Sequence, residues 1–225
     1  MSPWFPRFWP LLAGAGTLAA LDALARLTYW GRHRLVDPPL AWLDATDEWT
    51  VPTLFSVAVT AAVAVACARN RAASPCWRVL AILFAWLAVD DLLGLHELVG
   101  ALVHPWVRSG PVYSWVVVLG PVFAAVAGLC LVRVWRGLGA ERRALFGGGF
   151  GLLAVALALE CAEGTVAGSP TRLRGLPLID YAQWLEEACE LFGPVLLLAA
   201  SWGATTAVVA APVTSSSEPS AAPGR

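Results

Sequence analysis

Six stretches of the chain, 8–28, 50–69, 78–100, 112–134, 144–166 and 183–206, are built mostly of apolar residues. A helix rises about 1.5 Å per residue, so about 20 such residues cross the hydrocarbon core of a bilayer. The pattern predicts an all-α fold, a polytopic transmembrane helix bundle of about six spans. The fifth and sixth stretches carry acids near one end, where the apolar pattern is weakest. Trp9, Trp30, Trp49, Trp77, Trp106, Trp115, Trp135, Trp184 and Trp202 fall near predicted ends, as an aromatic belt at the two membrane–water interfaces requires. No internal repeat is visible. Residues 1–211 form one transmembrane domain on this reading. Residues 212–225, "PVTSSSEPSAAPGR", have no apolar periodicity and are expected to be a disordered cytoplasmic tail.

Smaller features refine the spans. The first 25 residues resemble a cleaved signal in having one arginine, an apolar run and an Ala-x-Ala-like end. Asp22 interrupts that run, and Trp4 and Trp9 read as interface anchors, so a retained first span is expected. "GGGFG", 147–151, contains a small-xxx-small pair, Gly147 and Gly151, expected to let helices approach closely. Pro121 and Pro194 are candidate kinks, the second one turn beyond Glu190. Thr53 and Ser56 can turn hydroxyls inward or bond backbone carbonyls.

Composition agrees with the pattern. The chain of 225 residues is 58% hydrophobic and 14% charged, with a mean hydropathy of +0.67. Soluble domains carry about a quarter charged residues. The net charge of -1 offers no basic face to nucleic acid. All 15 basic residues are arginine, which together with the Ala, Gly and Val content points to a GC-rich, bacterial source. Cys67, Cys76, Cys130, Cys161 and Cys189 show no metal-finger spacing and read as small core residues. Cys161 and Cys189, each beside a glutamate, are expected to remain unpaired or loosely linked.

Charge then gives the bundle two ends. Arg7, Arg69, Arg71, Arg78, Arg133, Arg136, Arg142 and Arg143 share one side, eight in short segments. Arg26, Arg32, Arg34, Arg108, Arg172 and Arg174 lie on the other, spread over longer loops. The positive-inside rule predicts a multi-pass protein of the cytoplasmic membrane with both termini in the cytoplasm. Of 16 acids, 14 gather on the opposite side; Glu141 and Glu218 are the exceptions. Because alternate helices run in opposite directions, this gathering requires opposite ends of successive helices to be acidic.

The stretch "VDDLLGLHELVG", 89–100, places Asp90, Asp91, His96 and Glu97 inside an apolar run. A charge at the bilayer centre costs about 2.5–3.5 kcal/mol, so such residues face a bundle interior or a wet cavity. In one continuous helix Asp90 and Glu97, seven apart, share a face, and His96 and Asp91 point elsewhere. Glu160 and Glu163, Glu186 and Glu190, and Glu187 and Glu190 are co-facial pairs. Like charges in a low-dielectric site repel, so either some carry protons or a cation sits among them. The expected ligand set is Glu48, Asp90, His96, Glu97, Glu160, Glu163, Glu187 and Glu190, and the expected cofactor is a divalent metal: Mn, Fe, Zn or Ca. Simpler duties compete for some acids. Asp22 and Arg26, four apart, are expected to pair. Asp47, Glu48, Glu186 and Glu187 can serve helix N-termini. The three histidines, His33, His96 and His104, form no Glu-x-x-His and no His-x-x-x-His. That argues against His-box desaturases and hydroxylases and against ceramidase-like hydrolases.

Three stretches carry a resemblance: "EWTVPTLFS" (48–56), "VDDLLGLHE" (89–97) and "EEACELFG" (186–193). Their patterns, E-x-x-x-P-T-x-F-S, D-[DE]-x4-H-E and E-E-x-x-E, resemble those of a group of uncharacterised bacterial multi-pass membrane proteins. Members often read Asp-Glu where this chain reads Asp90-Asp91. The resemblance implies a small polytopic protein of the cytoplasmic membrane and assigns no reaction. Three classes of function follow. They are a metal-dependent membrane enzyme with substrate entering from the outer leaflet, a cation- or proton-coupled carrier, and a non-catalytic accessory or structural protein, and the metal or polar site ranks first. Nearly pure Ala, Val, Leu and Gly in the other halves of the spans disfavours a carrier's through-path. The lipid bilayer is the expected partner.

Overall fold

A computed structural model describes residues 5–30, 42, 43, 45, 49–106, 114–166, 172, 173 and 176–202, with backbone only at 5, 27–30, 114, 163–166, 172, 173, 176 and 177. Seven helices form among them: α1 (Phe5–Trp30), α2 (Val51–Arg69), α3 (Pro75–Leu93), α4 (Leu95–Val103), α5 (Ser114–Gly137), α6 (Ala140–Val166) and α7 (Leu178–Ser201). A two-residue antiparallel ladder, β1 (Arg172–Leu173) on β2 (Leu176–Pro177), is the extended structure among the described residues. The fold is all-α, as expected. The tail 212–225 lies outside the described residues.

Local chemistry sets the helix ends. α2 follows Thr50, which is extended (φ -86°, ψ 170°), and has Pro52 in its first turn, where a missing N–H costs nothing. α3 starts at Pro75 after Ser74, whose Oγ accepts from the Cys76 amide at 3.3 Å. α3 stops at Gly94, in the left-handed region (φ 58°, ψ 35°), and the chain turns by 80° into α4. The continuous third span expected over 78–100 is therefore two helices. Glycine reaches this conformation without the steric cost that a Cβ brings.

α7 is the organising element. It packs along α6 and also meets α2 and α1, while α3 lies on α2, and α5 touches α3, α4 and α6. Gly149 marks the tightest approach: a Cβ there would stand 2.6 Å from Leu197 Cγ and 2.8 Å from the Gly193 carbonyl. The close contact thus uses Gly149 facing Gly193. Of the expected pair, Gly147 instead makes room for the Trp135 ring, and Gly151 meets nothing within 4 Å. One end of the bundle is packed dry. Phe146, Leu80, Val63, Val195 and Leu197 are fully buried there. Trp77 and Phe146 meet edge-on at 6.0 Å, and Phe146 and Phe150 at 5.0 Å. Trp77 is thus a core residue, not a belt residue. Asn70, also buried, donates through Nδ2 to Ala66 O and, at 2.6 Å, to Ser201 O, tying the end of α2 to the end of α7.

Among the described residues, four helical segments are long and apolar enough to cross a membrane: Pro6–Arg26, Val51–Arg69, Trp115–Gly137 and Ala140–Ala162. The bent pair of α3 and α4 makes a fifth if it counts as one span. Against the six expected stretches, α7 misses this measure because Asp180, Glu186, Glu187 and Glu190 crowd its first half. α3 misses it alone because it holds Arg78, Asp90 and Asp91.

Candidate functional site

Opposite the dry end, the bundle encloses a cavity of about 270 Å³. Its walls come from the start of α2 (Pro52, Thr53, Ser56, Thr60), the end of α3 (Phe84, Leu87, Asp90, Asp91) and the start of α4 (His96, Glu97). Trp115 of α5, Leu153 and Glu160 of α6, and Glu186, Glu187, Glu190, Leu191 and Pro194 of α7 complete them, with Ala45. Seven carboxyl groups and one imidazole thus border one space. Antiparallel neighbours bring this about: α2 and α7 contribute their beginnings, α3 and α6 their ends.

The break at Gly94 shapes the richest wall. Gly94 has no side chain to cap α4, and Asp90 takes over that duty. Its Oδ1 accepts from the His96 amide at 2.7 Å, and its Oδ2 lies 3.3 Å from His96 Nδ1. The His96 ring packs against Trp115, centroids 5.1 Å apart. Trp115 Nε1 in turn donates to Glu160 Oε1 at 3.0 Å. A chain of contacts, Asp90–His96–Trp115–Glu160, therefore links α3, α4, α5 and α6.

This geometry corrects the helical-spacing argument. Asp90 and Glu97 do not share a helix face, because they sit on two helices at 80°. His96, expected to point elsewhere, is the residue that meets Asp90. Glu97 borders the cavity and is itself exposed. Asp91, expected to point away, lines the same space, as does Glu186, which the spacing assigned to a helix N-terminus. Of the eight expected ligands, Asp90, His96, Glu97, Glu160, Glu187 and Glu190 reach the cavity. Glu48 lies outside the described residues. Glu163 follows Glu160 by one turn on α6, with its side chain outside them. Trp115 went unnoticed because a tryptophan at a span end reads as interface belt; only its position relative to His96 distinguishes it.

Neighbouring polar groups are engaged elsewhere. Arg26 Nε donates to Asp22 Oδ2 at 3.0 Å and Oδ1 at 3.1 Å, the pair that four-residue spacing predicts. The Ala45 amide also donates to Asp22 Oδ1, at 3.3 Å. Trp184, expected in the belt, donates through Nε1 to the Ala19 carbonyl at 3.0 Å and fastens α7 to α1. All five cysteines are free, Cys189 buried and Cys161 partly so. Glu187 feels repulsion from Glu190, Asp91 and Asp22 and attraction from Arg26. Carboxylate oxygens with one imidazole are a donor set suited to divalent ions. Among the described residues, however, no group of three or more His, Cys, Asp or Glu side chains is placed to hold a metal ion.

A family defined as a domain of unknown function (DUF8692) matches residues 7–204. No curated protein and no solved structure matches the chain. The matched region takes in almost the whole of α1, every helix from α2 to α7 and the entire cavity, and the chain belongs to the DUF8692 family.

Proposed function

We propose that this DUF8692 chain is an integral membrane protein of six spans whose cavity binds a divalent cation, drawn from Mn, Fe, Zn and Ca, and opens to the outer side. The spans are α1, α2, α3, α5, α6 and α7, with both termini in the cytoplasm. The 19 residues of α3 rise about 28 Å, nearly the bilayer core by themselves. The 80° turn then lays α4 along the interface, with Leu98, Leu102 and Trp106 exposed towards lipid.

One observation carries the cation: seven carboxyl groups from four helices border a single space in an apolar bundle. At about 30 Å³ per molecule the space holds roughly nine waters. An ion there keeps part of its water and draws the carboxylates in. Ligands must be deprotonated, so binding weakens as pH falls. The closed dry end disfavours a carrier. A second reading, a hydrogen-bonded polar network without metal, is favoured by the partners that Asp90 and Glu160 already have.

Elemental analysis and thermal unfolding of detergent-purified protein separate the two. The cation reading expects one divalent metal per chain or a rise in unfolding temperature on adding one. It also expects Glu187→Gln and Glu190→Gln to weaken binding at least about tenfold, the effect that loss of even a ligand's outer partner has. No metal and no stabilisation by any of the four ions leaves the network reading.

A further inference from the structure

The corner between α5 and α6 has the opposite charge from the cavity and lies at the dry end of the bundle. α5 closes at Gly137 and α6 opens at Ala140, so Leu138 and Gly139 are the whole connection. Around it stand Arg133, Arg136, Arg142 and Arg143, four guanidinium groups against one acid, Glu141. Both flanking segments, Trp115–Gly137 and Ala140–Ala162, are apolar enough to cross a membrane up to this corner. The corner therefore sits at the depth of lipid headgroups. Trp135, packed on Gly147, supplies an amphipathic ring at the same level.

The four arginines are not equivalent. Arg143 is engaged: its Nε donates to Leu138 O at 2.6 Å and its Nη2 to Arg136 O at 3.3 Å. These carbonyls are among those a helix end leaves unsatisfied. Arg133 and Arg136, three apart on α5, lie on one face and are exposed. Arg142 is half-buried, and its buried Nη1 meets no hydrogen-bond partner among the described residues. Among the described residues no carboxylate pairs with Arg133, Arg136 or Arg142.

Arg142 is only half-buried, Arg133 and Arg136 are exposed beside it, and the fork of an arginine matches the oxygens of a phosphate. At this depth phosphate is presented by lipid. Three uncompensated positive charges select a lipid whose headgroup carries no cation of its own. We infer that the α5–α6 corner binds the phosphate of an anionic phospholipid, with Arg142 at its centre and Arg133 and Arg136 beside it. This site is separate from the cavity and does not depend on how the cavity is used.

Native mass spectrometry of the full chain, released from nanodiscs of mixed phosphatidylglycerol and phosphatidylcholine, tests it. Retained phosphatidylglycerol is expected to exceed phosphatidylcholine by roughly fivefold per engaged arginine. Arg142→Gln is expected to remove most of that excess, and Arg142→Lys to keep part of it. Arg71→Gln, an equal charge change in the α2–α3 turn, is expected to leave it intact. No preference in the wild-type protein overturns the inference, whether or not any variant folds. Equal losses in Arg71→Gln and Arg142→Gln overturn it in favour of diffuse charge attraction. Thermal stabilisation by inorganic phosphate as large as that by phosphatidylglycerol overturns it in favour of a soluble anion.

Discussion

At the scale of single residues, steric room and polar satisfaction decide which positions tolerate change. Gly149 and Gly151 belong to the same glycine run, and hydropathy treats them alike. A Cβ at Gly149 collides with Leu197 and the Gly193 backbone, and the backbone cannot step aside. Gly149→Ala is therefore expected to destabilise the protein by about 1–3 kcal/mol, the usual range for overpacking a filled interior. Gly151→Ala, which enters open space, is expected to be neutral or slightly stabilising, because alanine is the better helix former. Thermal unfolding of both variants in the same detergent reads the contrast; equal losses would show that α6 and α7 are less intimate than described. The dividing line between these positions was not legible in the sequence. It depends on the rotation of α6 against α7, and apolar residues surround all the glycines of the run.

At the scale of elements, apolar runs of about twenty residues made the long helices legible, while the start of α3 at Pro75, three residues before the expected 78, was set by a Ser74 cap and a first-turn proline that hydropathy does not register. The break between α3 and α4 was not legible. Gly94 stands inside an apolar run where glycine is common, and left-handed backbone leaves no trace in hydropathy. That omission carried into the site. Spacing arithmetic held for Asp22 and Arg26, which share one helix, and failed for Asp90, His96 and Glu97, which do not. The acids' gathering at one end was legible, because it needs only helix direction. Gly94→Ala is expected to cost about 1–2 kcal/mol, the penalty for a Cβ in left-handed backbone, and Gly94→Asn less. Gly100→Ala on α4, whose Cβ meets Trp115 at an ordinary 3.8 Å, provides the matched control. If Gly94→Ala unfolds at the same temperature as Gly100→Ala, the helix break is not a fixed feature of the fold.

At the scale of the whole molecule, the two ends differ in kind. One gathers arginines at short turns and a dry aromatic core; the other gathers acids around a cavity. The six crossings proposed above would place the α2–α3 turn inside the cell and the segment after α4 outside. Alkaline phosphatase, which folds only outside the cytoplasm, is expected to be inactive when fused after Arg71 and active when fused after Ser109. The reversed pattern would invert the bundle, and activity at both points would remove a crossing. A closed floor has an electrical meaning. If the cavity opens outward and takes a cation as proposed, it is a blind well: a cation reaching Glu190, near the middle of α7, would pass through about half the field and then meet Phe84, Leu153 and Pro194. A 100 mV potential is worth about 2.3 kcal/mol for one charge crossing completely, so it biases occupancy of such a well by about 1 kcal/mol per charge. The same resting voltage that drives currents through an open pore would here only load or empty a capacitor.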